Sequence, residues 1–191
     1  MLRFKSAAGC GILMFTEPVR YTGTIRGGIQ MAKKALIVYF SLSGSTEQVA
    51  DLLAKISNGT VHPIQVVTPF PEDMYKTNDI AEAQREDHTY PELSGKLPNV
   101  ADYRIILLGG PVWNGHPATP LLRFLQDVNL GSVPVAPFFT YATDPGDYAK
   151  EIDRLLGANS LAALGMADAV VAKTSKATAE LQKWWDTVRP R

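Results

Sequence analysis

Between Tyr39 and Ala50 the chain reads YFSLSGSTEQVA, and Ser41, Leu42, Ser43, Gly44, Ser45 and Thr46 place four hydroxyls around one glycine. An apolar run stops just before them and a helical pattern begins just after. Backbone N–H groups in the first turn of a helix have no intrahelical partners and carry partial positive charge. Gly44 lets the chain bend tightly around a ligand. Hydroxyls and amides together make an anion cradle suited to phosphate. Capping of the helix by Ser45 with Gln48 accounts for one serine, not for four hydroxyls. No lysine or arginine stands in the stretch, so a phosphate held there keeps its charge, which suits a ligand that is retained rather than cleaved. The lysine-bearing loop of nucleotide motors and the three-glycine dinucleotide fingerprint are both absent from the sequence.

The elements around this junction read as an alternation. "ALIVYF" (35–40) is a continuous apolar run and predicts a strand covered on both faces. Val49, Leu52, Leu53 and Ile56 predict an amphipathic helix that ends at Asn58-Gly59. "TVHPIQVV" (60–67) predicts a second strand, at an edge because Pro63 lacks a ladder donor. A polar stretch over 68–101 contains one helix near 73–87. "YRIILLGG" (103–110) predicts the third strand, ending in its two glycines. Leu121, Phe124, Leu125 and Val128 mark a helix, and "VPVAPFFTY" (133–141) the fourth strand. Tyr148, Ile152, Leu155 and Leu156 mark another helix, and 160–172 contains the fifth strand. Leu181, Trp184, Trp185 and Val188 form the stripe of a last helix. Strands alternating with helices imply an α/β fold of parallel strands with helices on both faces.

Composition narrows the function classes. Of 191 residues, 46% are apolar and 20% charged, an ordinary globular balance. Cys10 is the single cysteine, so neither an internal disulfide nor a thiolate metal cluster is available, and a reducing, cytoplasmic setting is expected. His62, His88 and His116 are too scattered for a zinc site. No apolar stretch approaches the about 18–20 residues that span a bilayer, so no membrane association is expected. Residues 1–30 hold four basic residues and one acid without sustained periodicity, and read as a disordered or artefactual leader, with Met31 opening the domain over 31–191. A secretion signal in "KSAAGCGILMF" lacks a clear cleavage site after it. Without that leader, 15 basic and 18 acidic residues remain, net −3, which argues against nucleic acid as a partner.

The stretch "VYFSLSGSTEQVADLLA" resembles the phosphate loop of flavodoxins, Thr/Ser-x-Thr/Ser-Gly-x-Thr after the first strand. "YRIILLGGPVWNGHPATPLLRFLQDVNL" resembles the third strand, cofactor loop and following helix of the same flavodoxin-like family. The likeness covers roughly residues 33–172. It implies a three-layer αβα sandwich with a five-stranded parallel sheet in the order 2-1-3-4-5, and FMN as cofactor. Loops after strands one, three and four then meet at the switch point of the sheet. Pro111, Val112, Trp113, Asn114 and Gly115 form the second loop. Trp113 sits on a Gly/Pro-rich turn outside any periodic pattern, so it is expected outside the core, with its indole flat against the flavin. An apolar wall beside the ring and an unneutralised phosphate both lower the reduction potential. The resemblance further implies a peptide at Asn114-Gly115 whose carbonyl turns toward flavin N5 on reduction. Thr140 and Tyr141 fall where the family places further ring contacts, although "YATDPGDY" departs from the glycine-rich stretch of short relatives.

Low-potential electron transfer with a partner reductase or acceptor protein is the leading expectation. The acids from Glu72 to Glu92 offer a docking face for basic redox partners, or simply a solvated helix face. An NAD(P)H-dependent FMN quinone or nitro-compound reductase is the alternative; it needs an open pocket beside the flavin. Either monomer or dimer is compatible with the sequence. A receiver domain lacks its acid at the end of the third strand, and a hydrolase lacks the Gly-x-Ser-x-Gly elbow.

Overall fold

A computed structural model describes residues 35–190; the leader expected over 1–30 lies outside the described residues. Strand β1 (Leu36–Tyr39) is completely buried, as its unbroken apolar run requires. Helix α1 (Ser45–Ser57) follows and stops where Asn58 takes a left-handed conformation, φ 51°. Strand β2 (Thr60–Pro63) pairs with β1 in parallel and forms the sheet edge, as Pro63 led us to expect.

The second expected strand does not run through to residue 67. It breaks after Pro63, and β3 (Gln65–Val66) turns away to pair antiparallel with β4 (Leu93–Ser94) in a separate small sheet. Pro63 has no N–H to offer a further strand and β2 has no neighbour beyond it; one more bond, from the Ile64 N–H to the Tyr39 carbonyl (2.6 Å), closes the pairing with β1. Helix α2 (Met74–Glu86) lies between them, capped by Asp73, whose carboxylate accepts from the N–H groups of Tyr75 (2.9 Å) and Lys76 (3.3 Å).

Strand β5 (Ile106–Trp113) starts later than expected and continues past both glycines. Those glycines are packing positions, not a terminus. A Cβ on Gly109 would fall 2.0 Å from the Phe138 ring, and one on Gly110 would fall 2.4 Å from Leu121. Strand β6 (His116–Pro117) folds back on β5 as a short hairpin. Helix α3 (Thr119–Asp127), strand β7 (Val135–Tyr141), helix α4 (Tyr148–Leu156), strand β8 (Leu164–Ala167), the short helix α5 (Asp168–Val171) and helix α6 (Thr174–Val188) complete the chain. Pro137 is tolerated inside β7 because pairing with the next segment is interrupted there: Val135 bridges Ser160, and the ladder to β8 resumes only at Phe138.

The five parallel strands run in the order β2-β1-β5-β7-β8, which is 2-1-3-4-5 when parallel strands alone are counted. Alternate residues of β1 enter different cores. Leu36 and Val38 join Leu121, Phe124 and Ile152 from α3 and α4. Ile37 and Tyr39 join Val49 and Leu53 of α1 and Leu181, Trp184 and Trp185 of α6. The layers are therefore helix, sheet, helix. Leu155, expected on the buried stripe of α4, is exposed instead. Among the described residues no helix is long and apolar enough to cross a membrane, and no group of His, Cys, Asp and Glu is placed to hold a metal ion.

Candidate functional site

The loops after β1, β5 and β7 converge beyond the carboxyl ends of the strands, where an open parallel sheet places its ligands. They enclose a cavity of ≈ 310 Å³. Of the residues singled out in the sequence, Ser43, Ser45, Pro111, Val112, Asn114, Gly115, Thr140 and Tyr141 line it.

The first loop is built around Gly44. Its φ of 92° is left-handed backbone, which glycine adopts without penalty. Gly44, not Ser45, is the N-cap residue of α1, and no side chain caps the helix. The Ser45–Gln48 capping box is therefore not formed; the Gln48 N–H instead donates to the Gly44 carbonyl (3.0 Å). Ser41 shapes the loop from within, its hydroxyl accepting from the Gly44 N–H (3.1 Å). Leu42 packs against the core. Ser43 is exposed and Ser45 half-buried, so these two hydroxyls and the uncapped first turn face the cavity. Thr46 is buried, and its hydroxyl is hydrogen-bonded to that of Thr140 across 2.7 Å. This bond ties the start of α1 to the end of β7. Just before the loop, Tyr39 donates to Glu47 (3.2 Å). Burial, then the Glu47 carboxylate, push the Tyr39 phenol up to about 12.

Trp113 is not where the sequence placed it. It is the last residue of β5 and is 1% exposed. Phe40 meets it edge-on (centroids 5.5 Å apart, 84°) and Phe70 lies against it at 4.9 Å. The expectation of an exposed indole fails because the strand continues through the glycines and its alternation turns residue 113 inward. With both neighbours in place, its faces are not open to a flat ring.

Asn114 and Gly115 form the two-residue tip of the β5–β6 hairpin, with φ of 48° and 80°. Both left-handed values in a two-residue loop mark a type I′ turn, and Asn-Gly is its preferred sequence. Turning over the central peptide would carry Asn114 into a region open essentially to glycine alone. The carbonyl of the following peptide, that of Gly115, accepts from the Asp147 N–H (2.8 Å) and fastens the turn to the loop after β7. This turn therefore opposes the expected carbonyl flip. Gly146 packs onto it so closely that a Cβ there would lie 2.3 Å from the Gly115 Cα.

Six further residues line the cavity that were not singled out in the sequence: Met74, Asn78, Ala142, Thr143, Asp144 and Asp168. Met74 and Asn78 are four apart on α2 and share a face, a signal hidden by the polar composition of that segment. One turn on, Glu82 accepts from the Asn114 side chain (3.4 Å). Asn78 Oδ1 is buried with no hydrogen-bond partner, as are Trp113 Nε1 and the Tyr148 hydroxyl. A buried acceptor left unpaired costs about 1–3 kcal/mol. Asp144 and Asp168 bring two carboxylates to the cavity, and no lysine, arginine or histidine lines it among the described residues.

Glu151 of α4 ties the hairpin to its neighbours. It accepts from Arg85 (3.1 Å) and pairs with His116 Nδ1 (2.8 Å), while Arg85 also donates to the Pro117 carbonyl. His116 thus faces away from the cavity, into a separate cleft of ≈ 760 Å³ between α2 and α4.

Three comparisons bear on this arrangement. A family model described as Flavodoxin matches residues 34–188. A flavoprotein of Lactobacillus acidophilus NCFM, solved in complex with FMN, is 33% identical, covers 75% of this chain and 99% of its own, and superposes with a TM-score of 0.65. A flavoprotein of Bacteroides uniformis is 22% identical with a TM-score of 0.70 over 81% of this chain and 99% of its own. Among curated proteins, none matches the chain.

Proposed function

The chain belongs to the flavodoxin family, and from that premise we propose that it holds FMN in this cavity and passes electrons at low potential. The observation that carries the reading is the junction of an uncapped helix N-terminus, two free serine hydroxyls and, among the described residues, no cation at one end of a cavity walled by loops from β5 and β7. The residues present fit the cofactor. Ser43, Ser45 and the first-turn amides of α1 would hold the phosphate. Pro111, Val112, Met74 and Tyr141 offer apolar walls for the ring, in place of the buried Trp113. The bound flavin would supply one- and two-electron chemistry. The chain supplies the electrostatics. Asp144 and Asp168 line the site and no cation does among the described residues, so added electron density is opposed by fixed negative charge.

An electron carrier needs a docking face as well. Glu72, Asp73, Asp79, Glu82, Glu86, Asp87 and Glu92 are all exposed along the α2 side of the site and suit a basic redox protein as partner. The alternative, an NAD(P)H-dependent quinone or nitro-compound reductase, finds its support in the ≈ 760 Å³ cleft beside the hairpin. That cleft is lined by five acids against Arg85, Lys150 and Arg154, a poor setting for an anionic dinucleotide, and the carrier reading stands first.

Replacing Asp144 and Asp168 by asparagine should raise the midpoint potential of the bound flavin by tens of millivolts, on the order expected for removing nearby screened charges. Unchanged potentials would reject the electrostatic account. Steady-state NAD(P)H oxidation with a quinone separates the two activities: a carrier is nearly inert without a reductase, and rapid turnover by the purified protein alone favours the enzyme.

A further inference from the structure

The geometry points to Asn78 as a cofactor-binding residue whose side-chain oxygen accepts a hydrogen bond from a donor group of the flavin. This rests on the FMN reading and adds to it a contact from a helix outside the three loops after β1, β5 and β7.

The placement of Asn78 is fixed by a rigid element. Asp73 caps α2, and the Thr77 hydroxyl donates to the Pro71 carbonyl (2.7 Å) at the same end. At the other end Arg85 is bound to Glu151 and to the Pro117 carbonyl, and Gln84 accepts from Thr119 (2.6 Å). Between these anchors Met74 and Asn78 share the face that lines the cavity. An asparagine merely on the surface would solvate its oxygen, and packing alone would be served by leucine. Asn78 is only half-buried as a residue, yet its Oδ1 is shut off from solvent and has no donor among the described residues. An orphan acceptor on a cavity wall is explained when the cavity's occupant brings the missing donor.

The chemistry of FMN limits the donor. In oxidised FMN, the form read by fluorescence, the phosphate dianion, ring carbonyls and unprotonated ring nitrogens accept hydrogen bonds; only the imide N3–H and the ribityl hydroxyls donate. The partner is therefore one of these two groups.

The test compares Asn78→Leu and Asn78→Ala with the unaltered chain, reading FMN affinity by fluorescence quenching and the stability of the FMN-free protein by urea unfolding. Leucine fills the same space without the orphan oxygen. The expected result is a loss of FMN affinity of about tenfold in both variants, with FMN-free Asn78→Leu at least as stable as the unaltered protein. A purely structural role predicts the opposite pattern, a fall in FMN-free stability with affinity unchanged, and overturns the assignment. FMN methylated at N3 and an FMN analogue with an unhydroxylated side chain then identify the donor. The penalty of Asn78→Leu disappears with whichever analogue lacks the donating group, and a penalty that persists undiminished with both also overturns the assignment. Failure of the unaltered chain to bind FMN overturns the cofactor reading itself, and this contact with it; normal binding by the unaltered chain and both variants overturns only the contact.

Discussion

Trp113 carries the largest revision at the scale of single residues. Its neighbours in sequence, two glycines and a proline, look like a turn. Its neighbours in space, Phe40 and Phe70, come from other elements and enclose it. Sequence periodicity could not see Phe70, which reaches the indole from the irregular stretch before α2. Trp113→Ala should therefore cost about 3–5 kcal/mol of folding stability in urea unfolding of the FMN-free protein, as for other large side chains removed from a core. If that stability is unchanged and only FMN binding is lost, the indole belongs to the cofactor site after all. The hydroxyls of the first loop divide in the same way. Ser43 and Ser45 face the cavity, whereas Ser41 and Thr46 bond within the protein. Four hydroxyls around a glycine were legible as a cradle, but not which of them the cradle itself consumes.

Between elements, the β5–β6 hairpin and the loop after β7 meet backbone to backbone. Gly146 has φ +55° and leaves no room for a side chain against Gly115. Gly131 has a similar φ of +56° but open space around it, and so serves as its control. Gly131→Ala should cost about 1 kcal/mol, the ordinary penalty of left-handed backbone. Gly146→Ala should cost more, about 2–3 kcal/mol, and should weaken FMN binding because it pushes the two loops apart. Equal stability losses in the two variants, with FMN affinity untouched, would show that the loops do not depend on this approach. The Asn114-Gly115 dipeptide had the signature of a tight hairpin all along. The short antiparallel return of β6 follows from that signature, whereas the resemblance implies a flexible cofactor loop at the same place. The helix over 74–86 was foreseen almost to its ends, yet its part in the cavity was not, because Met74, Asn78 and Glu82 form no apolar stripe.

For the molecule as a whole, alternation of apolar runs with helical stripes sufficed for parallel strands with helices on both faces, and the flavodoxin resemblance implied their order. Each of the five parallel strands was placed, and the order β2-β1-β5-β7-β8 puts the switch point between β1 and β5, beside the phosphate loop. Strand ends were the weak points, at Pro63, where β2 ends, and after Gly110, where β5 continues. Both depend on what lies next to the strand in space. The sheet order and the family together focus the account on one claim, that the amides and serines at the start of α1 hold the phosphate of FMN. Titrating FMN with the purified protein, freed of any cofactor, measures this directly. The account predicts stoichiometric quenching of flavin fluorescence, with riboflavin, which lacks the phosphate, bound much more weakly. Fluorescence that stays at the level of free FMN with the protein in excess would contradict it.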